Sequence, residues 1–180
     1  MLKWHSYRKA AVLLFLTVPL VIGGEEAKSG SDTPRMAYGN GTAAGSHFSQ
    51  LADKALAAMR AHASSLGVTG VALVAYFEGD DIQSWESKMI VVGKRKDPST
   101  ATDPGANLLA IAYAKAAEAA DTLKPSGSAG RPLMTGEFGW SGSVIRKSKS
   151  GYWIAAFSGG KSDDDVAVST AGLDSILTKE

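Results

Sequence analysis

The 180-residue chain has no cysteine. That excludes a disulfide framework, a cysteine nucleophile, cysteine-bound zinc and iron–sulfur clusters. Histidine is scarce: His5, His47 and His62 are the three present, and no His-x-His or His-Glu-x-x-His spacing points to a zinc enzyme. Charge of one sign is missing too. Nineteen Lys and Arg face eighteen Asp and Glu, a formal net charge of +1, so no basic field invites a nucleic acid. At 44% hydrophobic residues the chain is too apolar to be disordered. Its length suits one domain of the usual ~100–200 residues.

What is present begins with an address. Lys3, Arg8 and Lys9 precede the apolar run Ala10 to Gly23, with Val21 and Gly23 suiting the −3 and −1 positions of a cleavage site. A charged start, a short apolar stretch and a small-residue end predict a signal peptide over residues 1–23. The run is about 14 residues, short of the roughly 20 that span a bilayer. Export to a periplasmic or extracellular space is therefore expected, without a stable membrane span; an uncleaved anchor is the bland alternative. Cleavage leaves sixteen basic and eighteen acidic residues, a formal charge of −2. Asn40-Gly41-Thr42 is a glycosylation sequon, relevant only to a eukaryotic secretory route.

Residues 24–46, rich in Gly, Ser, Ala and Thr, read as a flexible tether. A domain is expected over 47–180. Phe48, Leu51, Ala52, Ala55, Met59, His62 and Leu66 recur at steps of three or four, predicting a helix over His47–Leu66 with Ser46 as N-cap. Val68–Phe77 and Ile82–Val92 read as a strand hairpin around Glu78–Asp81, with Trp85, Met89 and Val91 on one face. An alanine-rich helix is expected over Ala106–Leu123 and a short strand or turn at Leu133–Trp140. Val144–Arg146 and Tyr152–Phe157 form a second hairpin, with Gly151 placed for a positive φ. A last helix runs from Ser162, as cap, to about Thr178, with Asp163, Asp164 and Asp165 complementing its dipole. Runs of adjacent strands between helices define the α+β class, an antiparallel sheet with helices on it.

Several constellations could carry chemistry. Ala155–Ser162 is a relaxed phosphate-loop pattern, but its first position is Ala155, three aspartates open the following helix, and little chain remains for such a fold. A glycine turn that caps the last helix is the simpler reading. Asp163–Asp165 read as capping rather than as metal ligands, and the basic cluster Arg146, Lys147 and Lys149 as a solvated turn. No Gly-x-Ser-x-Gly elbow with a downstream His exists, and Glu137 has no acid–base partner by spacing, so no catalytic residue is assigned. His62 falls on the apolar face of the first helix, where it is either a satisfied core histidine or an axial haem ligand. Lys115, mid-helix among alanines, either snorkels to solvent or lines a pocket and meets a carboxylate, such as a haem propionate.

The C-terminal block Ser158-Gly159-Gly160, Asp165-Val166-Ala167 and Ala171-Gly172-Leu173, together with Ala112, Lys115, Ala116 and Ala119, resembles the haem-binding GlcG/HbpS-type family, also called DUF336 or the "haem-degrading" domain. The likeness covers about residues 48–178. Lys94–Pro98 and Thr135–Trp140 depart from the family pattern. The resemblance implies a profilin-like five-stranded antiparallel sheet flanked by helices, homo-oligomers, and haem as cofactor. An oligomer also suits a small domain with Trp85, Trp140, Trp153 and Tyr152 in excess of one core. The resulting expectation is an exported, non-catalytic small-ligand-binding protein, with haem or a related tetrapyrrole as ligand, His62 as its metal ligand and Lys115 at its carboxylates. The alternatives are an enzyme that degrades haem or acts on a small organic acid, and a ligand-free oligomeric assembly module.

Overall fold

A computed structural model describes residues 43–128 and 130–177. The expected signal peptide and residues 24–42 of the expected tether lie outside the described residues. Helix α1 spans Ala43–Leu66, so it begins three residues ahead of Ser46, which is inside the helix rather than its cap. Strand β1 (Gly70–Glu78) is followed by β2 (Glu86–Val92). Two-residue strands β3 (Lys96–Asp97) and β4 (Ala106–Asn107) lead into α2 (Leu108–Thr122). Then come β5 (Ser143–Lys147), β6 (Gly151–Ser158) and α3 (Ser162–Ile176).

The α+β class is as expected, but among the described residues the sheet has four strands, ordered β2-β1-β6-β5 and antiparallel throughout; β3 and β4 pair separately. Leu133–Trp140, expected as a short strand or a turn, is a loop and adds no fifth strand. Gly136, Gly139 and Gly142 all take positive φ there, which breaks any extended ladder. Gly151 does not take positive φ. Its lack of a side chain serves a close approach instead, since a Cβ there would stand 2.0 Å from the Phe77 carbonyl oxygen.

Central strands β1 and β6 are covered on both faces, so they read as nearly continuous apolar runs. Alternation sorts their side chains. Ala72, Val74, Trp153, Ala155 and Phe157 face α1 and α3, packing with Ala52, Ala55, Leu56, Met59, Val168 and Leu173. Val71, Leu73, Ala75, Phe77, Ile154 and Ala156 face α2, meeting Leu108, Ala112, Ala116 and Ala119. The α1 stripe drifts from the expected one: Leu56 and Ala63 are buried while Leu66 is exposed, which leaves His62 half-buried at the margin of that face. Between α1 and α3 the contact is close. A Cβ on Gly172 would lie 2.6 Å from Met59 Cγ, which is why a glycine occupies this helical position.

Helix α3 starts differently from expectation. Its N-cap is Lys161, without a side-chain cap bond, and Ser162 is the first helical residue. The helix ends at Ile176, before Thr178, which is outside the described residues.

Candidate functional site

Helix α2 opens at Asn107, whose side chain accepts from the Ala110 N–H at 3.2 Å, and its small residues bring it down onto the sheet. Two charged side chains point inward from it. Lys115 is 4% exposed and Glu118 1%. The Lys115 ammonium donates to Asp165 Oδ2 at 2.7 Å and to the Phe157 carbonyl at 3.0 Å. The carboxylate that Lys115 meets here is one of the chain's own, fifty positions away. Asp165 Oδ1 in turn accepts from the Gly160 N–H at 2.8 Å. The aspartate expected only to balance the helix dipole therefore ties α3, the Ser158–Gly160 turn and α2 together. That N–H is taken internally, so the turn uses it to hold the carboxylate of α3. Burial pushes the Asp165 carboxyl above its ordinary value, against the lowering pull of Lys115 and the turn's N–H groups.

Room for the pair comes from Gly142. A Cβ there would be 2.5 Å from Lys115 Nζ, and its φ of +141° suits glycine alone. Over the pair opens a cleft of about 390 Å³, walled by Leu108 and Ile111, by the turn from Ser158 to Ser162 and by Trp140. An ammonium has three donors, and two are committed, so the third is free for a bound group.

Trp140 is half exposed and stacks on Phe138 with ring centroids 4.8 Å apart. Its backbone is anchored from below. Ser126 Oγ donates to the Trp140 carbonyl at 2.9 Å, and Ser126 and Ser143 exchange bonds in which each N–H donates to the other's hydroxyl. Buried Glu118 accepts from the Gly127 N–H at 2.7 Å. The loop ahead of Trp140 is latched by Arg131, which grips Glu137 through two bonds of 2.8 and 2.7 Å and also pairs with Asp121. Glu137 accepts from the Met134 N–H as well, and these bonds, Arg131 first, hold its carboxyl at about 2 instead of 4.5. It is a fastening, not a proton donor poised for neutral pH. Glu118, Ser126 and Arg131 carry no assignment in the sequence reading, and Asp165 appears there only at the acidic opening of α3 and in the C-terminal motif. Glu118 carries the same signal as Lys115, a charge on an apolar helix face; Ser126 and Arg131 carry none.

His62 does not join this site. It stands on α1, across the sheet from α2, so the two residues expected to share a ligand are kept apart. His62 does not border the cleft. Among the described residues no group of three or more His, Asp or Glu could hold a metal ion, and no helix is long and apolar enough to cross a membrane.

The fold and cleft define an α+β domain with a polar-floored, small-molecule-sized hollow. No family model and no curated protein matches the chain. Solved structures similar to it include these two. One is the Klebsiella pneumoniae protein ORFY, family-model DUF336, with 15% identity, a TM-score of 0.46, and coverage of 73% of this chain and 90% of that one. The other is a PduOC:heme complex, with 13% identity, a TM-score of 0.46, and coverage of 71% and 92%. The first carries the family name that the C-terminal motifs resemble.

Proposed function

We propose that the protein is a non-catalytic small-ligand-binding module whose site is the cleft over Lys115 and Asp165, with haem or a related tetrapyrrole as the best single candidate ligand. The observation that carries this reading is a buried ion pair at the floor of an open cleft. Such a pair is expensive to desolvate and gives little stability over an apolar substitute, so its place beneath a hollow points to binding. Leu108, Ile111 and Trp140 supply an apolar wall for a flat molecule, and Lys115 and Lys161 supply cations for its carboxylates. No imidazole, thioether or phenol borders the cleft, so these residues fit the face and carboxylates of a tetrapyrrole and not its iron.

The test is a titration of the purified domain with hemin and with metal-free protoporphyrin, followed by absorbance and fluorescence. Both should bind with similar affinity, Trp140→Ala should weaken both by about tenfold, and His62→Ala should change neither. Failure of both to bind would overturn the reading. Binding of hemin alone, lost in His62→Ala, would instead move the site to the α1 face and give His62 the iron.

Export and self-association belong to the same proposal. Residues 1–23 read as a signal, checked by N-terminal sequencing of the secreted product. Leu133, Met134, Phe138 and Trp140 expose about half their surface on one loop, an apolar patch suited to a homo-oligomer and checked by sedimentation. One observation favours an enzyme instead, the raised Asp165 carboxyl in a cleft. Turnover of a porphyrin or a small organic acid, lost in Asp165→Asn, would establish it.

A further inference from the structure

On the other face of the sheet a second cavity, of about 350 Å³, opens at the start of α1. Cross-strand register builds its wall. Glu86, Tyr76 and Trp153 lie opposite one another on β2, β1 and β6, so they form one row on the α1 face. Phe48 of α1 stacks on Trp153 at 5.6 Å between centroids, and Tyr76 meets the same indole at 5.0 Å, so three rings are in contact around the cavity. Glu78, two residues beyond Tyr76, shares the face by the strand period of two. Its partner Gly151 adds no side chain at that end. Glu78 and Glu86 are therefore diagonal neighbours, roughly 7–8 Å apart at the backbone by strand geometry. Both are exposed, and neither has an ion-pair partner among the described residues. His47 and Lys149 also border the cavity, but they come from α1 and from the turn after β5, not from this strand pair.

We propose that this cavity binds a small organic cation, an alkylammonium or quaternary ammonium. Its charged head sits between Glu78 and Glu86, and its apolar groups lie against Tyr76 and Trp153. Aromatic rings attract a cation through their negative faces, indole most strongly, and the two unpaired carboxylates, Glu86 on the edge strand β2 and Glu78 at the end of β1, add Coulomb attraction. A neutral molecule of the same shape gains only the apolar contact. The site is independent of the Lys115 cleft, since the sheet lies between them.

The probe is choline, titrated against the Trp153 indole resonance and compared with its neutral carbon isostere. Choline should shift that resonance saturably and bind at least about tenfold more tightly than the isostere. Glu78→Gln with Glu86→Gln should remove most of that preference; both side chains are exposed, so the fold is retained. Lys149→Ala should strengthen binding, and Trp140→Ala should leave it unchanged. The proposal fails if choline does not bind, if the isostere binds equally well, or if the double glutamine variant keeps the full preference. Loss of choline binding in Lys149→Ala or Trp140→Ala would equally overturn it.

Discussion

Replacing Lys115 by Met would leave the Asp165 carboxylate buried without its ammonium. The two side chains are 5% and 4% exposed and 2.7 Å apart, so solvent screens them little. Removing one partner of such a pair costs about 3–5 kcal/mol. Asp165 keeps its bond from the Gly160 N–H, which places the expected loss near the lower end, about 3 kcal/mol. For a domain of this size that is a fall in Tm of roughly 12 °C, read by thermal melts followed by circular dichroism. The pH dependence has a definite sign. Burial already raises the Asp165 carboxyl, and losing Lys115 removes its largest lowering influence, so its folded-state pKa in the variant rises further. A raised carboxyl favours the folded chain at pH values below its unfolded pKa and loses that advantage as the pH climbs through the folded one. The deficit against wild type should therefore shrink as the pH falls toward the ordinary carboxylate range, about 4. Lys115→Met combined with Asp165→Leu should regain most of the loss, because an apolar pair of similar volume needs no desolvation of charge. A single variant within about 1 kcal/mol of wild type, or a double-mutant cycle with no coupling, would refute this account of the pair.

Gly172→Ala should lower stability by about 1–2 kcal/mol in urea unfolding, because overpacking Met59 outweighs the better helix propensity of alanine; a gain in stability would show that α1 and α3 can separate without cost. Arg131→Ala should make the Pro132–Phe138 loop the first site of limited proteolysis while the melting of the sheet is little changed. Since the Glu137 carboxyl is held down to about 2 from 4.5, the latch is complete above about pH 4.5 and lost as the pH falls through about 2, and the Phe138–Trp140 stack should loosen over that window, seen as a change in tryptophan fluorescence.

The elements set by local pattern were legible. The helical run of α1, the Ser148–Ser150 turn between β5 and β6, and the aspartate-rich opening of α3 each carry their signal within a few residues. The partners of the site were not. Lys115 stands out as a charge among alanines, but its carboxylate is fifty positions along, and nothing in local spacing selects Asp165 from the three aspartates in a row. Leu133–Trp140 reads as a short strand or a turn, and its glycines and the Arg131–Glu137 pair, whose partners no local pattern links, make it a fastened loop. His62 satisfied the helical spacing, but the packing of α1 centres on Leu56, Met59 and Ala63, one step around the cylinder. Periodicity identifies a face only to within about a residue, and that is enough to decide whether a side chain reaches a site.

The middle of the sheet is the pairing of β1 with β6, which joins Val71 to Ser158 and Phe77 to Tyr152. Each hairpin can form from neighbouring residues, but neither can bury both faces until the other arrives from far along the chain. During synthesis the first hairpin and α1 must therefore wait, with the apolar run Val71–Phe77 uncovered, until Ser158 has left the ribosome. Folding should be slow for a protein of this size and limited by that one long closure. Chaperone demand should peak in this interval, and a ribosome stalled before β6 should hold a nascent chain that proteases still digest.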